Sequence, residues 1–291
     1  MTLNGKQILL IVSGGIAAYK AAVLVRRLKD AGASVVPVLT RGGAQFITPL
    51  TLSALAENPV YEDLFSLKDE AEMGHIRLAR EADLILVAPA SADLIAKMAH
   101  GLTDDLASTT LLAADGPVAI APSMNPVMWA NAATQANVAT LMQRGIQVWG
   151  PADGDMACGE IGTGRFEEPE DLVARALAFF APKPLAGRRA LVTSGPTHEP
   201  IDPVRVMANR SSGQQGQAIA SALAAAGADV TLVTGPVSLP EPSGMTVVPV
   251  QTADEMRAAA QAALPADIAD FAAAVADWKP KTPASEKLKT D

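Results

Sequence analysis

The residues best suited to chemistry stand in short polar segments between apolar runs. His75 lies in Met73-Gly74-His75-Ile76 and is one of three histidines in the chain. Asn125 lies in Pro122-Ser123-Met124-Asn125-Pro126, and Cys158, the single cysteine, in Gly154-Asp155-Met156-Ala157-Cys158-Gly159. A base, an amide and a thiol make a site if their loops converge. Taken singly, a histidine ahead of a helix is more often structural than catalytic. The three types also suit a cysteine hydrolase, with a thiol nucleophile and a histidine base. Against that, Cys158 sits in a stretch with five glycines between 150 and 164. No helix start follows it to depress the thiol pKa, and the stretch reads as a flap. None of these spacings is a metal pattern, so metal ligands stay unassigned.

A second group of residues suits phosphate. Ser13-Gly14-Gly15 follows an apolar run and precedes a helical pattern, where backbone amides and a helix N-terminus cradle an anion. A tight turn of any α/β protein satisfies the same pattern. The Gly-x-Gly-x-x-Gly dinucleotide spacing is absent, and Leu39-Thr40-Arg41 stands where an acidic ribose-binding residue would be. A hydroxyl and a cation suit a terminal phosphate, which favours a mononucleotide such as FMN over NAD. Ala88-Pro89-Ala90-Ser91-Ala92-Asp93 offers small residues able to border a flat ring, and Ser91 is equally a helix N-cap.

The elements that must position these residues alternate in type. Apolar runs at 7–13, 34–39, 83–88, 118–121 and 147–149 read as strands. Ala17, Ala21, Leu24, Leu28 and Ala31 form an apolar stripe on a helix over 16–31, stopped by Gly32. A further helix is expected over about 128–143. Alternating strands and helices imply parallel βαβ units with ligands at the carboxyl ends of the strands. The proline- and glycine-containing APKPLAG (181–187) is a linker composition. Beyond it the pattern restarts, with strands at 189–193 and 229–234, a helix over 211–226 and a strand-like segment at 267–274. The domains expected are 1–180, a linker at 181–188, and 189–291. The fold class is α/β, a Rossmann-like or flavodoxin-like parallel-sheet domain followed by a second, incomplete Rossmann-like domain, since about 105 residues are few for a doubly wound sheet.

Composition narrows the function classes. A formal charge of −8 over 291 residues disfavours nucleic acid and anionic membrane, which need clustered Lys and Arg. The N-terminal apolar stretch lacks a basic n-region, and no segment is long enough to span a bilayer. One cysteine gives no internal disulfide framework. The expectation is a soluble cytoplasmic protein.

Taken together, the segments resemble one family. SGGIAAYK (13–20), MGHIRLAREADLILVAPASADLIAKMAHGLTDDL (73–106), APSMNPVMW (121–129) and GDMACGEIGTGRFEEP (154–169) are similar to the phosphopantothenoylcysteine decarboxylases. These belong to the homo-oligomeric flavin-dependent cysteine decarboxylases. SGPTHEPIDPVRVMANRSSGQQG (194–216) resembles the start of phosphopantothenate–cysteine ligase, the domain order of the fused enzymes of bacterial coenzyme A synthesis. For the first domain the resemblance implies FMN and decarboxylation of 4′-phosphopantothenoylcysteine to 4′-phosphopantetheine with no net redox change. It makes His75 the active-site base, Asn125 the holder of the substrate carboxylate and Cys158 the proton donor on the flap. It puts Ser13, Gly14, Gly15, Thr40, Ser91 and Ala92 against FMN. It also implies a trimer-based homo-oligomer, a dodecamer at full length, with FMN sites between protomers.

For the second domain the resemblance implies joining of cysteine to 4′-phosphopantothenate through an acyl-cytidylate made from CTP, with Mg2+. Asn209 would act on the acyl intermediate. Ser211, Ser212 and Gly213, then Ala273, Ala274, Val275 and Asp277, would bind CTP, and Lys287 or Lys289 would neutralise its triphosphate. Three departures from the family pattern are visible. Gln214 and Gln215 replace a lysine-led pair, Phe166 replaces a commoner methionine, and family ligase domains continue past Asp291. The expectation is therefore a decarboxylase that ligates poorly or not at all.

Overall fold

Along β1 (Gln7–Val12), Ile8, Leu10 and Val12 join one buried cluster while Leu9 and Ile11 join another. Successive side chains of a strand point to opposite faces, so β1 is covered on both sides, as parallel sheets require. The structure, a computed structural model, describes residues 2–64, 74–156, 159–242 and 244–288. The chain divides into two units, Met1–Phe180 and Ala181–Asp291.

In the first unit β1 is joined by β2 (Ser34–Leu39), β3 (Leu84–Ala90), β4 (Val118–Pro122) and β5 (Gln147–Val148) in the order β2-β1-β3-β4-β5. All neighbouring pairs are parallel. This is the flavodoxin-like order, in which the ligand crevice opens between β1 and β3. Helices Ala21–Asp30 and Pro169–Phe180 cover one face. Helices Gly74–Glu81, Ala92–His100, Leu106–Leu112 and Ala132–Gln143 cover the other.

Local outcomes in the first unit differ from the sequence expectation. The helix expected over 16–31 is a 3-10 turn, Ile16–Lys20, followed by the α-helix Ala21–Asp30. Gly15 precedes it with no side chain to cap the first turn, and the Ala18 N–H is served instead by Gly15 O at 3.0 Å, a tightening common at helix starts. The helix expected over 128–143 is two helices, Pro126–Ala130 and Ala132–Gln143. Asn131 breaks it at φ −62°, ψ 133°, its side chain accepting from Ala133 N to cap the second helix. The glycine-rich flap contains the antiparallel hairpin β6 (Ala152–Asp155) and β7 (Ile161–Arg165), whose alternation is hidden where glycine leaves no side chain to read.

In the second unit β8 (Arg189–Ser194), β11 (Asp229–Thr234), β12 (Thr246–Pro249) and β13 (Ile268–Phe271) form a sheet of order β12-β11-β8-β13, all parallel. In order of appearance this is 3-2-1-4, one half of the Rossmann arrangement, with its crevice between β8 and β13. Helix Gln214–Ala225 packs on Ala190, Val192, Val230 and Leu232. Helix Ala253–Ala262 packs Met256 on Leu191 and Val233. A short hairpin, β9 (His198–Pro200) and β10 (Val206–Ala208), follows β8. Ser211 and Ser212 precede this unit's first helix rather than opening it. Gly213, at φ 75°, is the N-cap, and Gln214 is the first helical residue.

Candidate functional site

The crevice between β1 and β3 is closed by hydroxyl groups. Ser13, 2% exposed, donates from Oγ to Pro89 O at 2.7 Å and accepts from Ser91 N at 2.8 Å. Thr40 Oγ1 donates to Val12 O at 3.2 Å and accepts from Gly43 N at 3.0 Å. Ser91 Oγ accepts from Leu94 N at 3.3 Å, capping the helix that Ala92 begins. Gly14 lies so near Gly42 that an added Cβ would stand 3.1 Å from the Gly42 backbone. Ser13, Gly14, Gly15, Thr40, Ser91 and Ala92 are thus gathered at one end of the sheet. Their hydroxyls brace the backbone. At Gly15, φ +154°, an added Cβ would meet nothing within 4 Å. The open cradle there suits a flat mononucleotide with its phosphate against backbone amides.

A cleft of about 320 Å³ adjoins Gly15 and is lined among others by Tyr19, Lys20, Met124, Asn125 and Arg165. Asn125 Oδ1 accepts from Met128 N at 2.8 Å, capping helix Pro126–Ala130, and Nδ2 donates to Glu160 Oε2 at 2.7 Å. The hairpin β6–β7 approaches this strand end through glycine. Met124 N donates to Gly164 O at 3.0 Å, and a Cβ on Gly164, φ +141°, would lie 2.4 Å from Met124 O. At the root of the hairpin Glu168 accepts from Lys20 Nζ at 3.0 and 2.8 Å and pairs with Arg165. The Lys20 hydrogen bond first, then the Arg165 one, holds the Glu168 carboxyl below its ordinary range.

His75 is the second residue of helix Gly74–Glu81 and half-buried. It lines a small pocket of about 10 Å³ with Tyr61, Leu78 and Leu106, and shares no lining residue with the Asn125 cleft. Cys158 lies outside the described residues. Sequence reasoning assigned no role to Lys20, Glu160, Arg165 or Glu168. All four stand in the quoted motifs; for Glu160, Arg165 and Glu168 the signal was charge in or beside the glycine-rich flap, and for Lys20 there was no local one.

In the second unit β8 and β13 are tied at their carboxyl ends by Ala274 N to Gly195 O at 2.8 Å and Ala276 N to Thr197 Oγ1 at 2.9 Å. Ala273 N donates to Thr193 Oγ1 at 3.4 Å, and Asn209 Nδ2 donates to Val275 O at 2.8 Å. Asn209 therefore adjoins the 273–275 segment. Ser194 Oγ donates to Gly213 O at 2.9 Å, and Gly216 packs so closely that a Cβ would lie 2.6 Å from Ser194. Ser211 Oγ accepts from Gly213 N at 3.3 Å and Ser212 Oγ from Gln214 N at 3.4 Å. Asp277 and Lys287 are exposed, and Lys289 lies outside the described residues. The tail carrying Lys287 is held by the buried Asp202 carboxylate, which accepts from Leu288 N at 3.1 Å and pairs with Arg205 at 2.6 Å. Arg205 first, then the Val204, Leu288 and Arg205 backbone N–H groups, hold the Asp202 carboxyl far below the usual carboxylate range. Among the described residues no group of three or more His, Cys, Asp or Glu is gathered to hold a metal, and no helix is long and apolar enough to cross a membrane.

Comparison with known proteins follows the same division. The Flavoprotein family matches residues 1–181, and the DNA/pantothenate metabolism flavoprotein C-terminal domain matches residues 185–291. The coenzyme A biosynthesis bifunctional protein CoaBC of Vibrio vulnificus is 54% identical over 289 residues, covering 99% of this chain and 72% of that protein. A PPC decarboxylase mutant solved in complex with pantothenoylaminoethenethiol is 31% identical, with a TM-score of 0.56 over 60% of this chain and 98% of its own. The FMN binding protein AtHal3 is 32% identical, with a TM-score of 0.55 over 60% and 96%. The chain belongs to the family of bifunctional coenzyme A biosynthesis proteins.

Proposed function

We propose that the first unit decarboxylates 4′-phosphopantothenoylcysteine to 4′-phosphopantetheine with FMN, and that the second joins cysteine to 4′-phosphopantothenate with CTP and Mg2+. The observation that carries the first assignment is the adjacency of the open Gly15 cradle and the Asn125 amide in one cleft. Similarity to PPC decarboxylase and to AtHal3 supports it. Bound FMN supplies a reversible two-electron acceptor for the cysteinyl thiol carbon. The chain supplies the rest. His75 takes the thiol proton, and Asn125 Nδ2 donates to the carboxylate and orients it for departure. Cys158 returns a proton to carbon. The glycine hairpin keeps water out of the cleft. Ser13, Thr40 and Ser91 brace the cradle, and Gly14, Gly15 and Ala92 present backbone amides.

In the second unit Ser211, Ser212 and Gly213 contact CTP phosphates at the helix start, and Ala273, Ala274, Val275 and Asp277 border the nucleotide. Asn209 acts on the acyl-cytidylate, and Lys287 or Lys289 neutralises the triphosphate. Mg2+ is carried mainly by the phosphates, as suits a cation that keeps several waters. The unit boundaries are assigned as 1–180, 181–188 and 189–291, in a cytoplasmic, trimer-based homo-oligomer. His75 and Asn125 line separate cavities of one chain, which supports a decarboxylase site shared between protomers.

The test is an absorbance spectrum of the purified protein, then addition of 4′-phosphopantothenoylcysteine with carbon dioxide and 4′-phosphopantetheine measured. A flavin spectrum with stoichiometric product is expected. A colourless protein that cannot be reconstituted with FMN and releases no carbon dioxide refutes the decarboxylase assignment.

A further inference from the structure

The two ends of the Asn125 amide have different duties. Oδ1 serves the Met128 N–H, which only an acceptor can do, so Nδ2 must face the other way. There it meets the Glu160 carboxylate at 2.7 Å. Glu160 is held at that place by the hairpin backbone, its carbonyl accepting from Met156 N at 3.0 Å. A carboxylate of the chain itself thus sits on the amide that, on the reading above, receives the carboxylate of the substrate. We propose that Glu160 is a specificity-determining residue, whose carboxylate is exchanged at Asn125 for that of an incoming amino-acid carboxylate.

The reason is electrostatic. Both groups, ionised, only accept hydrogen bonds. Two carboxylates on one NH2 group stand close enough that each disfavours the other's charged form. The acid-bearing ligand therefore binds by displacing Glu160, whereas the decarboxylated product leaves Glu160 in place. Glu160 weakens binding of the substrate and of other carboxylates, and leaves product binding alone.

The inference rests on the decarboxylase reading, and the experiment separates the two. Wild type, Glu160→Gln and Asp155→Asn, each loaded with FMN, are titrated calorimetrically with two probes. One is 4′-phosphopantothenoylserine, which keeps the carboxylate and lacks an oxidisable thiol; the other is 4′-phosphopantetheine. In Glu160→Gln the serine analogue is expected to bind about two- to fivefold tighter, the scale of an exposed charge interaction, with product affinity unchanged. Asp155→Asn removes a charge from the same cleft and is expected not to reproduce this difference. Equal affinities in wild type and Glu160→Gln, or equal shifts for both ligands, or the same selective gain in Asp155→Asn, overturn the proposal. A wild-type protein that binds neither probe overturns the decarboxylase reading and this inference with it.

Discussion

Asn125 caps a helix and, in the proposed function, also holds the substrate carboxylate, and experiment separates the two duties. Asp caps helices as well as Asn, so Asn125→Asp keeps an oxygen for the Met128 N–H while removing the amide donor. A hydrogen bond to a charged group contributes about 1.5–3 kcal/mol. kcat/KM for decarboxylation should therefore fall by about 10- to 100-fold, with helix content by circular dichroism unchanged. Wild-type kinetics in this variant would remove Asn125 from the substrate contacts. Candidate residue types could be picked out in advance, because amide, imidazole and thiol are scarce among the apolar runs, and of the three Asn125 lines the cleft. The partners were not. Ser13 bonds to a carbonyl 76 positions away, and no local pattern announces that its hydroxyl is committed to the backbone. Glu160 went unread for the same reason, since only the folded hairpin carries it to a residue 35 positions earlier.

At the scale of elements, what was legible followed from burial. The parallel strands are apolar on both faces and stand out as continuous runs, so β1, β2, β4 and β11 were visible without any structure. Short and glycine-rich elements were not, because their order comes from tertiary contact. β12 and the hairpins β6–β7 and β9–β10 carry little alternation of their own. The hairpin's glycines make a sharp comparison. Gly164→Ala would place a methyl 2.4 Å from Met124 O at φ +141°, whereas Gly159→Ala, φ +81°, meets nothing within 4 Å. The positive φ alone costs about 1–3 kcal/mol in either variant. Gly164→Ala should in addition push the hairpin off the cleft, with larger loss of kcat/KM and faster proteolysis between β6 and β7. Equal kinetics for the two variants would mean that the close approach at Met124 is not used. The tail at Leu288 gives a prediction with a pH sign. The folded carboxyl of Asp202 titrates far below its ordinary value of 3.8. Its contribution is thus present above the unfolded value and lost as pH falls through the folded one. Amide exchange at Leu288 should stay slow from neutral pH down to about pH 5, and Asp202→Asn should accelerate it at neutral pH. Unchanged protection in that variant would mean that other contacts hold the tail.

At the scale of the whole molecule, the separation of His75 from Asn125 is the feature that a single chain leaves unresolved. They line different cavities, yet the proposed chemistry needs a base and a carboxylate-binding amide at one substrate. Large apolar side chains remain exposed beside the cleft, Ile16 and Tyr19 on the turn that lines it and Val127 and Met128 on the helix that Asn125 caps. Exposed apolar surface around a site is the mark of a contact with another molecule, and closed rings of identical chains put different faces of neighbouring copies together. Composition says nothing of this, because an apolar residue awaiting a partner chain and one in the core look alike in sequence. The decisive test is complementation. His75→Asn and Asn125→Asp, the latter expected to keep at most about a tenth of wild-type activity alone, are co-expressed and purified together. If each site takes His75 from one copy and Asn125 from the next, random assembly leaves about one quarter of sites with both wild-type residues, and activity returns to that order. If both residues act from one chain, no mixed assembly holds an intact site and activity stays at the level of the single variants. Recovery would make the oligomer part of the active site, because the two cavities of one chain would then be halves of sites completed by its neighbours.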